Sequence, residues 1–214
     1  MKIADRKNGP GHPMYVIAEV SANHGQDIDE AKELVRAAAR AKAVAVKLQT
    51  YTPSTITIDS NEPPFRIKKG TIWEGQKLFD LYKTAYTPWE WHEELFRLTK
   101  SLGMQCFSSP FDATAIEFLE NTSNMAFKIA SFEMVDIGLI EMAASKGKPM
   151  IISTGMASFD EIHDAGCTAA DRPVTSRSIV AVGAETTSTW LETDFHQPHA
   201  APIGVLIFSL LTLL

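Results

Sequence analysis

Two lysines stand late in apolar segments whose composition is typical of buried β-strands. Lys47 follows small and β-branched residues in "VAVKLQT" (44–50), and Lys128 follows Phe127 in "AFKIAS" (126–131). An ammonium group that leaves water without a partner costs several kcal/mol, or it gives up its proton. We therefore expect both lysines to face an anionic ligand.

Polar side chains also end the other predicted strands. The candidate site residues are Glu19, Lys47, Gln49, Ser109, Lys128, Ser131, Glu133 and Ser153. In parallel α/β proteins the carboxyl ends of the strands meet at one rim, where the chemistry takes place. Two lysines and several hydroxyl groups at that rim favour a phosphate or carboxylate ligand. The sequence contains no GxxxxGK[ST] pattern, so the site is not a P-loop.

Each candidate also has a purely structural interpretation. A serine at a strand end, such as Ser109 or Ser153, often caps the next helix. A single lysine late in a strand can extend its stem to solvent, but two at equivalent positions of two strands favour a shared ligand. Glu19 and Glu133 could be surface carboxylates, although the apolar strand before each one favours the rim. For His24 we expect a structural hydrogen bond rather than metal ligation.

Apolar and helical segments alternate from residue 15 to about residue 163. The predicted strands cover residues 15–20, 43–49, 104–109, 126–131 and 149–154. The predicted helices cover residues 29–42, 76–83, 88–102, 112–120 and 137–146, and another begins at 158. Five strands that alternate with helices predict an α/β fold with a parallel sheet and right-handed crossovers.

The same segment contains predicted helix caps and one long connection. The predicted caps are Asp27 or Asp29, Thr87 followed by Pro88, Asp112, and a capping box of Ser158 with Glu161. The connection 50–75 is too long for a simple link, and we interpret it as a functional loop or lid.

The composition changes after residue 163. No lysine occurs beyond Lys148, Ser, Thr and Ala dominate, and the regular alternation stops. "SIVAV" (178–182) is a candidate sixth strand, but nothing periodic follows it. We therefore divide the chain into 1–163, the folded part, and 164–214, an unmatched tail that is either frameshifted or disordered.

The overall composition narrows the functional classes. The formal net charge is −6, and no basic run extends beyond Lys68–Lys69, which argues against nucleic-acid binding. Cys106 and Cys167 lie far apart, without a CxxC pattern or a disulfide framework. The N-terminus lacks the apolar core of a signal peptide, and the apolar run 203–214 is too short to span a bilayer. We expect a cytoplasmic protein without a membrane partner.

Several motifs occur together in a fixed order. They are "IAEVSANHG" (17–25), "VKLQTYTP" (46–53), "YTPWEWH" (86–92), "FSSPFD" (107–112), "KIASFE" (128–133) and "IISTGMAS" (151–158). In this order they resemble the N-terminal half of the sialic acid (nonulosonate) synthase family, over residues 14–163. The branch that they resemble most is that of the pseudaminic acid synthases.

The resemblance implies a TIM-type (β/α) barrel, here incomplete with about five βα units and an atypical C-terminal tail. It implies condensation of phosphoenolpyruvate with an acetamido-sugar aldehyde to a nine-carbon 2-keto acid. Lys47 and Lys128 would bind the carboxylate and phosphate of phosphoenolpyruvate. Glu19 would face the sugar, and Glu133 would lie near the aldehyde and handle a proton. The implied hydrogen-bond partners are Gln49, Ser109, Ser131 and Ser153.

The resemblance also implies a divalent metal, Mn or Mg, and a homodimer. The metal-binding histidines of the family stand in its second half, and no ligand is identifiable in this chain. A further departure is Lys42, where the family usually has a glycine that ends the first helix. With about five units of a barrel, we expect little or no synthase activity from this chain alone.

Two alternatives remain open from the sequence. The chain could be a non-catalytic remnant, or a sugar- or phosphate-binding fragment, of such a synthase. It could also be another phosphate-binding barrel enzyme, such as an aldolase that forms a Schiff base at Lys128.

Overall fold

The computed structural model describes residues 2–3, 6–7, 11–68, 70–155, 157–170, 179–182 and 204–205. The strands are β1 (Lys2–Ile3), β2 (Arg6–Lys7), β3 (Ile17–Glu19), β4 (Ala45–Thr50), β5 (Gln105–Pro110), β6 (Phe127–Ile129), β7 (Met150–Ser153), β8 (Ile179–Val182) and β9 (Gly204–Val205). The α-helices are α1 (Ile28–Arg40), α2 (Pro53–Ile56), α3 (Leu78–Ala85), α4 (His92–Ser101), α5 (Ala113–Glu120), α6 (Ile137–Ser145) and α7 (Phe159–Ala170).

The strands β3 to β9 form one sheet in which every described pair is parallel. The spatial order of the strands equals their order along the chain, whereas a doubly wound sheet reverses direction at a switch point. A sheet that always grows in one direction with helices on one side is the geometry of a (β/α) barrel. The predicted fold, an incomplete TIM-type barrel, is confirmed.

Alternate residues of each strand lie in two different layers. Val46, Leu48 and Cys106 pack with residues of the helices in the larger apolar cluster. Ala45 and Phe107 belong to a smaller cluster on the other face, the barrel interior. Because side chains alternate along a strand, Lys47 and Gln49 share the interior face with Ala45. Lys47 and Gln49 therefore point to the same side of β4, into the barrel.

The bottom of the barrel interior is closed by apolar and aromatic side chains. Ile3, from the antiparallel pair β1–β2, is fully buried against the layer that contains Tyr15 and Phe107. These side chains form an apolar layer at and below the level of Lys47. The thiol of Cys106 is buried in the outer apolar cluster, so this cysteine is a core residue.

Most predicted caps are confirmed, and one is wrong. Asp27 accepts hydrogen bonds from the backbone of α1, Asp112 caps α5, and Ser158 forms its capping box with Glu161. Thr87 does not cap a helix. Residues 89–91 form a 3₁₀ turn before α4, and the Thr87 hydroxyl instead hydrogen-bonds the ring of His24.

The connection after β4 has secondary structure of its own. It contains α2, a 3₁₀ turn at Pro63–Phe65, and a bridge between Arg66 and Lys77. The Arg66 guanidinium donates hydrogen bonds to the carbonyl oxygens of Asn61 and Gly75. A role of this segment as a lid stays a prediction.

The predicted boundary at residue 163 falls inside α7. This helix continues to Ala170 because Ala165 and Ala169 are buried in the outer apolar cluster. The candidate sixth strand is present as β8, which pairs in parallel with β7. The remaining tail residues, 171–178, 183–203 and 206–214, lie outside the described residues.

Helix α1 ends in a turn that is usually built around glycine. Lys42 has a φ of 61°, and the amide of Ala43 donates to the carbonyl of Ala38. The amide of Lys42 donates to the carbonyl of Ala39, so the pair of hydrogen bonds forms a Schellman motif. The motif is retained, and the missing glycine leaves a side chain in the left-handed region.

We predict that Lys42→Gly stabilises the protein. Glycine lacks the Cβ that makes the left-handed conformation unfavourable, so the free energy of unfolding should rise by about 1 kcal/mol. Urea unfolding followed by circular dichroism measures this change. Lys42→Ala is the matched control, because it removes the charge and keeps the Cβ. Equal stabilities of the two variants would contradict the explanation.

Candidate active site

Lys47 forms a buried ion pair across the first two barrel strands. Its Nζ atom lies 2.7 Å from Oε1 of Glu19, and the two side chains are only 8% and 14% exposed. The parallel register sets this contact, because Glu19 and Lys47 are Cα partners in β3 and β4. The Glu19 carboxylate therefore serves as the counter-ion of Lys47 inside the barrel.

Lys128 lies in β6 and has no carboxylate at hydrogen-bond distance among the described residues. Its Nζ atom donates to Oγ of Ser153 at 2.6 Å and to the carbonyl oxygen of Ile129 at 2.9 Å. Ser153 ends β7, the next strand of the sheet. The sequence-predicted lysine and serine thus contact each other directly.

The pKa of Lys128 is lowered to about 7, mainly because burial removes its ammonium group from water. The positive charge of Lys47 lowers this pKa further, whereas the carboxylates of Glu19 and Glu133 raise it. Lys47, Glu19 and Glu133 therefore all act on Lys128 at the same end of the barrel. An anion that entered this space would meet an amine able to take up a proton near neutral pH.

Glu133 begins the 3₁₀ turn that follows β6. Burial raises the pKa of its carboxyl group, and the charge of Lys128 opposes that shift. The Oε2 atom is buried and makes no hydrogen bond within the described part of the chain. A half-buried carboxyl group of this kind holds its proton more readily than an exposed one, which suits a proton donor.

Gln49 and Ser109 are Cα partners in β4 and β5, two residue pairs above the level of Lys47. The Oγ atom of Ser109 is buried and has no hydrogen-bond partner among the described residues. A buried hydroxyl without a partner is uncommon, and it is a free donor for a ligand. Both residues lie where the sequence predicted them.

Ser131 faces the turn that follows β7. Gly155 has a φ of 47°, and a Cβ atom added to it would lie 2.4 Å from Cβ of Ser131. This approach brings the turns after β6 and β7 together, and only glycine allows it. In the sequence, only the glycine of the "STG" pattern indicates this positive φ.

Other polar residues near the strand ends have structural hydrogen bonds. The Nδ1 atom of His24 accepts from the amide of Gln26, and its Nε2 atom lies 3.1 Å from the Thr87 hydroxyl. This is the structural role expected for His24. A further network lies on the outer face of the barrel wall, where Thr50 contacts both His92 and Ser108. No pattern in the sequence indicates it.

The described residues contain no group of three or more His, Cys, Asp or Glu side chains that could hold a metal ion. The divalent metal implied by the resemblance therefore does not fit the donors in this part of the chain.

Within the part of the chain that the structure describes, no helix has the length and apolar character needed to cross a bilayer.

Comparison with known proteins agrees with the fold. The model of the NeuB family matches residues 34–185. Pseudaminic acid synthase of Helicobacter pylori is 50% identical over 72% of this chain and 45% of its own length. The corresponding synthase of Campylobacter jejuni serotype O:23/36 is 44% identical over 70% of this chain and 43% of its own length. The chain thus spans less than half the length of these relatives.

A solved structure shows the same fold. The N-acetylneuraminic acid synthetase of Leptospira borgpetersenii, determined in complex with citrate, superposes with a TM-score of 0.72 and 26% identity. The superposition covers 86% of this chain and 59% of that one. The chain belongs to the NeuB family, because the family model matches most of the chain and these relatives cover the same part of it.

Proposed function

We propose that this chain carries the phosphoenolpyruvate-binding part of a nonulosonate synthase of the pseudaminic acid type. The observation that carries the proposal is a pair of lysines inside one end of the barrel, the buried Lys47 and the partly buried Lys128. The names of the relatives support the reaction class. The sugar, the donor and the activity of the whole protein remain part of the proposal.

The proposed donor carries a carboxylate and a phosphate, which together need more than one cation. Lys47 and Lys128 supply two, and hydroxyl groups of Ser109, Ser131 and Ser153 supply neutral donors. Gln49 adds an amide beside Ser109. Charge-assisted hydrogen bonds are stronger than neutral ones, so the lysines provide most of the affinity.

The proposed reaction joins C3 of phosphoenolpyruvate to the aldehyde carbon of an acetamido sugar. The aldehyde oxygen gains the electron pair and needs a proton, for which the half-buried carboxyl group of Glu133 is the donor. Water then adds to C2 and phosphate leaves, which gives a nine-carbon 2-keto acid. Glu19, paired with Lys47, would face the sugar.

Sugar selection is proposed to involve the connection 50–75, which follows β4 at the same end of the barrel. The homodimer and the Mn or Mg ion are expectations from the family. No step above is assigned to a metal, because the described residues offer no ligand set for one.

A second candidate is a Schiff-base aldolase, which the lowered pKa of Lys128 favours. Borohydride treatment in the presence of a keto acid separates the two functions. The aldolase would be trapped as a covalent adduct at Lys128, whereas the proposed synthase forms no imine.

We predict that loss of the Lys47 cation weakens phosphoenolpyruvate binding by about 10- to 100-fold, as expected for a hydrogen bond to a charged group. Lys47→Met alone would leave Glu19 buried without its partner. The test is therefore the double variant Lys47→Met/Glu19→Gln, compared with Glu19→Gln alone, by isothermal titration calorimetry.

Lys100→Met is the control, because this exposed lysine lies at the end of α4 outside the barrel interior. It should bind phosphoenolpyruvate like the unmodified chain. Equal affinity of the double variant and Glu19→Gln would reject the proposed role of Lys47.

We also predict that phosphoenolpyruvate binding weakens as the pH rises above 7. The pKa of Lys128 is lowered from 10.5 to about 7, so the free protein has the ammonium below pH 7 and loses it above. A bound trianion favours the ammonium, so binding takes up a proton, and Kd should rise about tenfold per pH unit between pH 7 and 9.

Lys128→Arg is the matched variant for this titration, because a guanidinium stays charged over the whole range. Its Kd for phosphoenolpyruvate should be nearly constant between pH 7 and 9. A constant Kd between pH 7 and 9 in the unmodified chain would contradict the prediction. It would mean that Lys128 takes up no proton when the donor binds.

A further inference from the structure

A buried polar network lies behind the barrel wall, between the strands β4 and β5 and the helical layer. Oγ1 of Thr50 lies 2.8 Å from Nε2 of His92 and 2.6 Å from Oγ of Ser108. The amide of Ser108 donates to Oδ1 of Asn124 at 3.0 Å. All four side chains are almost completely buried.

The hydrogen bonds of this network have one consistent direction. Nδ1 of His92 lies 3.3 Å from the carbonyl oxygen of Pro88, which can only accept, so Nδ1 carries the hydrogen. Burial lowers the pKa of His92 to about 4, so the ring is neutral and its Nε2 atom accepts. Thr50 must then donate to His92, and Ser108 must donate to Thr50.

The network holds the residues next to two proposed ligand-binding positions. Thr50 follows Gln49 in β4, and Ser108 precedes Ser109 in β5, while Gln49 and Ser109 are Cα partners. The Oγ atom of Ser109 has no hydrogen-bond partner of its own among the described residues. Its position is therefore set by the backbone, which Ser108 and Thr50 tie to helix α4.

Stability alone does not account for polar residues at these positions. Phe96 and Phe118 surround the His92 ring, and Leu48 and Cys106 occupy the same outer face with apolar side chains. A buried hydrogen-bonded pair can often be replaced by apolar groups of the same shape at little cost. What an apolar replacement cannot supply is a directional link between α4 and two adjacent strands.

We infer that His92, Thr50 and Ser108 are positioning residues that fix the ends of β4 and β5 so that Gln49 and Ser109 reach the anionic ligand together. This inference rests on the proposed function, because it assigns a role to residues that touch no ligand. Through these three residues, helix α4 is connected to the binding site.

The test compares Thr50→Val with Thr50→Ser. Valine keeps the shape and loses the hydroxyl group, whereas serine keeps the hydroxyl group and loses a methyl group. Both variants should lower the melting temperature. Only Thr50→Val should raise Kd for phosphoenolpyruvate, by about tenfold, with Thr50→Ser within about twofold of the unmodified chain. Ser108→Ala, which removes the other hydroxyl, should behave like Thr50→Val.

Amide hydrogen exchange of segments 47–51 and 107–111 gives a readout that needs no ligand. Exchange in these segments should be faster in Thr50→Val and Ser108→Ala than in Thr50→Ser, when variants of similar melting temperature are compared. If the unmodified chain fails to bind phosphoenolpyruvate, the proposed function is rejected, and the exchange data still decide whether the network fixes these strand ends. Equal exchange and equal affinity in all three variants would overturn the inference.

Discussion

Two lysine side chains lie inside one end of the barrel, away from bulk water, and the register of the surrounding strands must supply partners for both. Burial of a charge is unfavourable unless partners replace the lost water. Here the partners come from other strands: a carboxylate from β3 for Lys47, and a hydroxyl from β7 for Lys128. These contacts exist only if five strands are parallel, consecutive and in the observed register.

The two lysines are held in different ways, and the difference matters for function. Lys47 has a carboxylate as its counter-ion, while Lys128 has a serine hydroxyl and a backbone carbonyl. The pKa of Lys128 is lowered because these neutral acceptors do not offset its desolvation. One lysine thus has a carboxylate counter-ion already in place, and the other gains its charge most readily when an anion arrives. Such a pair suits a donor with two acidic groups.

Much of this arrangement could be predicted from the sequence. The apolar runs identified the barrel strands, and the polar residues after them identified the rim, because strand alternation and parallel pairing leave few options. The cap formed by Asp112 follows from short-range chemistry that the sequence shows directly. The motifs also indicated the family before the comparisons did.

What the sequence did not reveal depends on contacts between distant residues. Thr87 precedes a proline in a typical cap pattern, yet its hydroxyl contacts His24, which lies 63 positions away. Lys42 shows no local preference for the left-handed conformation, which the packing of α1 imposes. The link from His92 to Thr50 and Ser108 joins three segments whose polar residues look unremarkable one at a time.

If Lys47 and Lys128 bind one donor molecule together, a crystal structure of the chain with phosphoenolpyruvate will show both contacts. We expect carboxylate and phosphate oxygens within about 2.7–3.2 Å of the two Nζ atoms, with Ser153 beside the ligand. A donor bound elsewhere, with Lys128 still contacting only Ser153 and the Ile129 carbonyl, would contradict it.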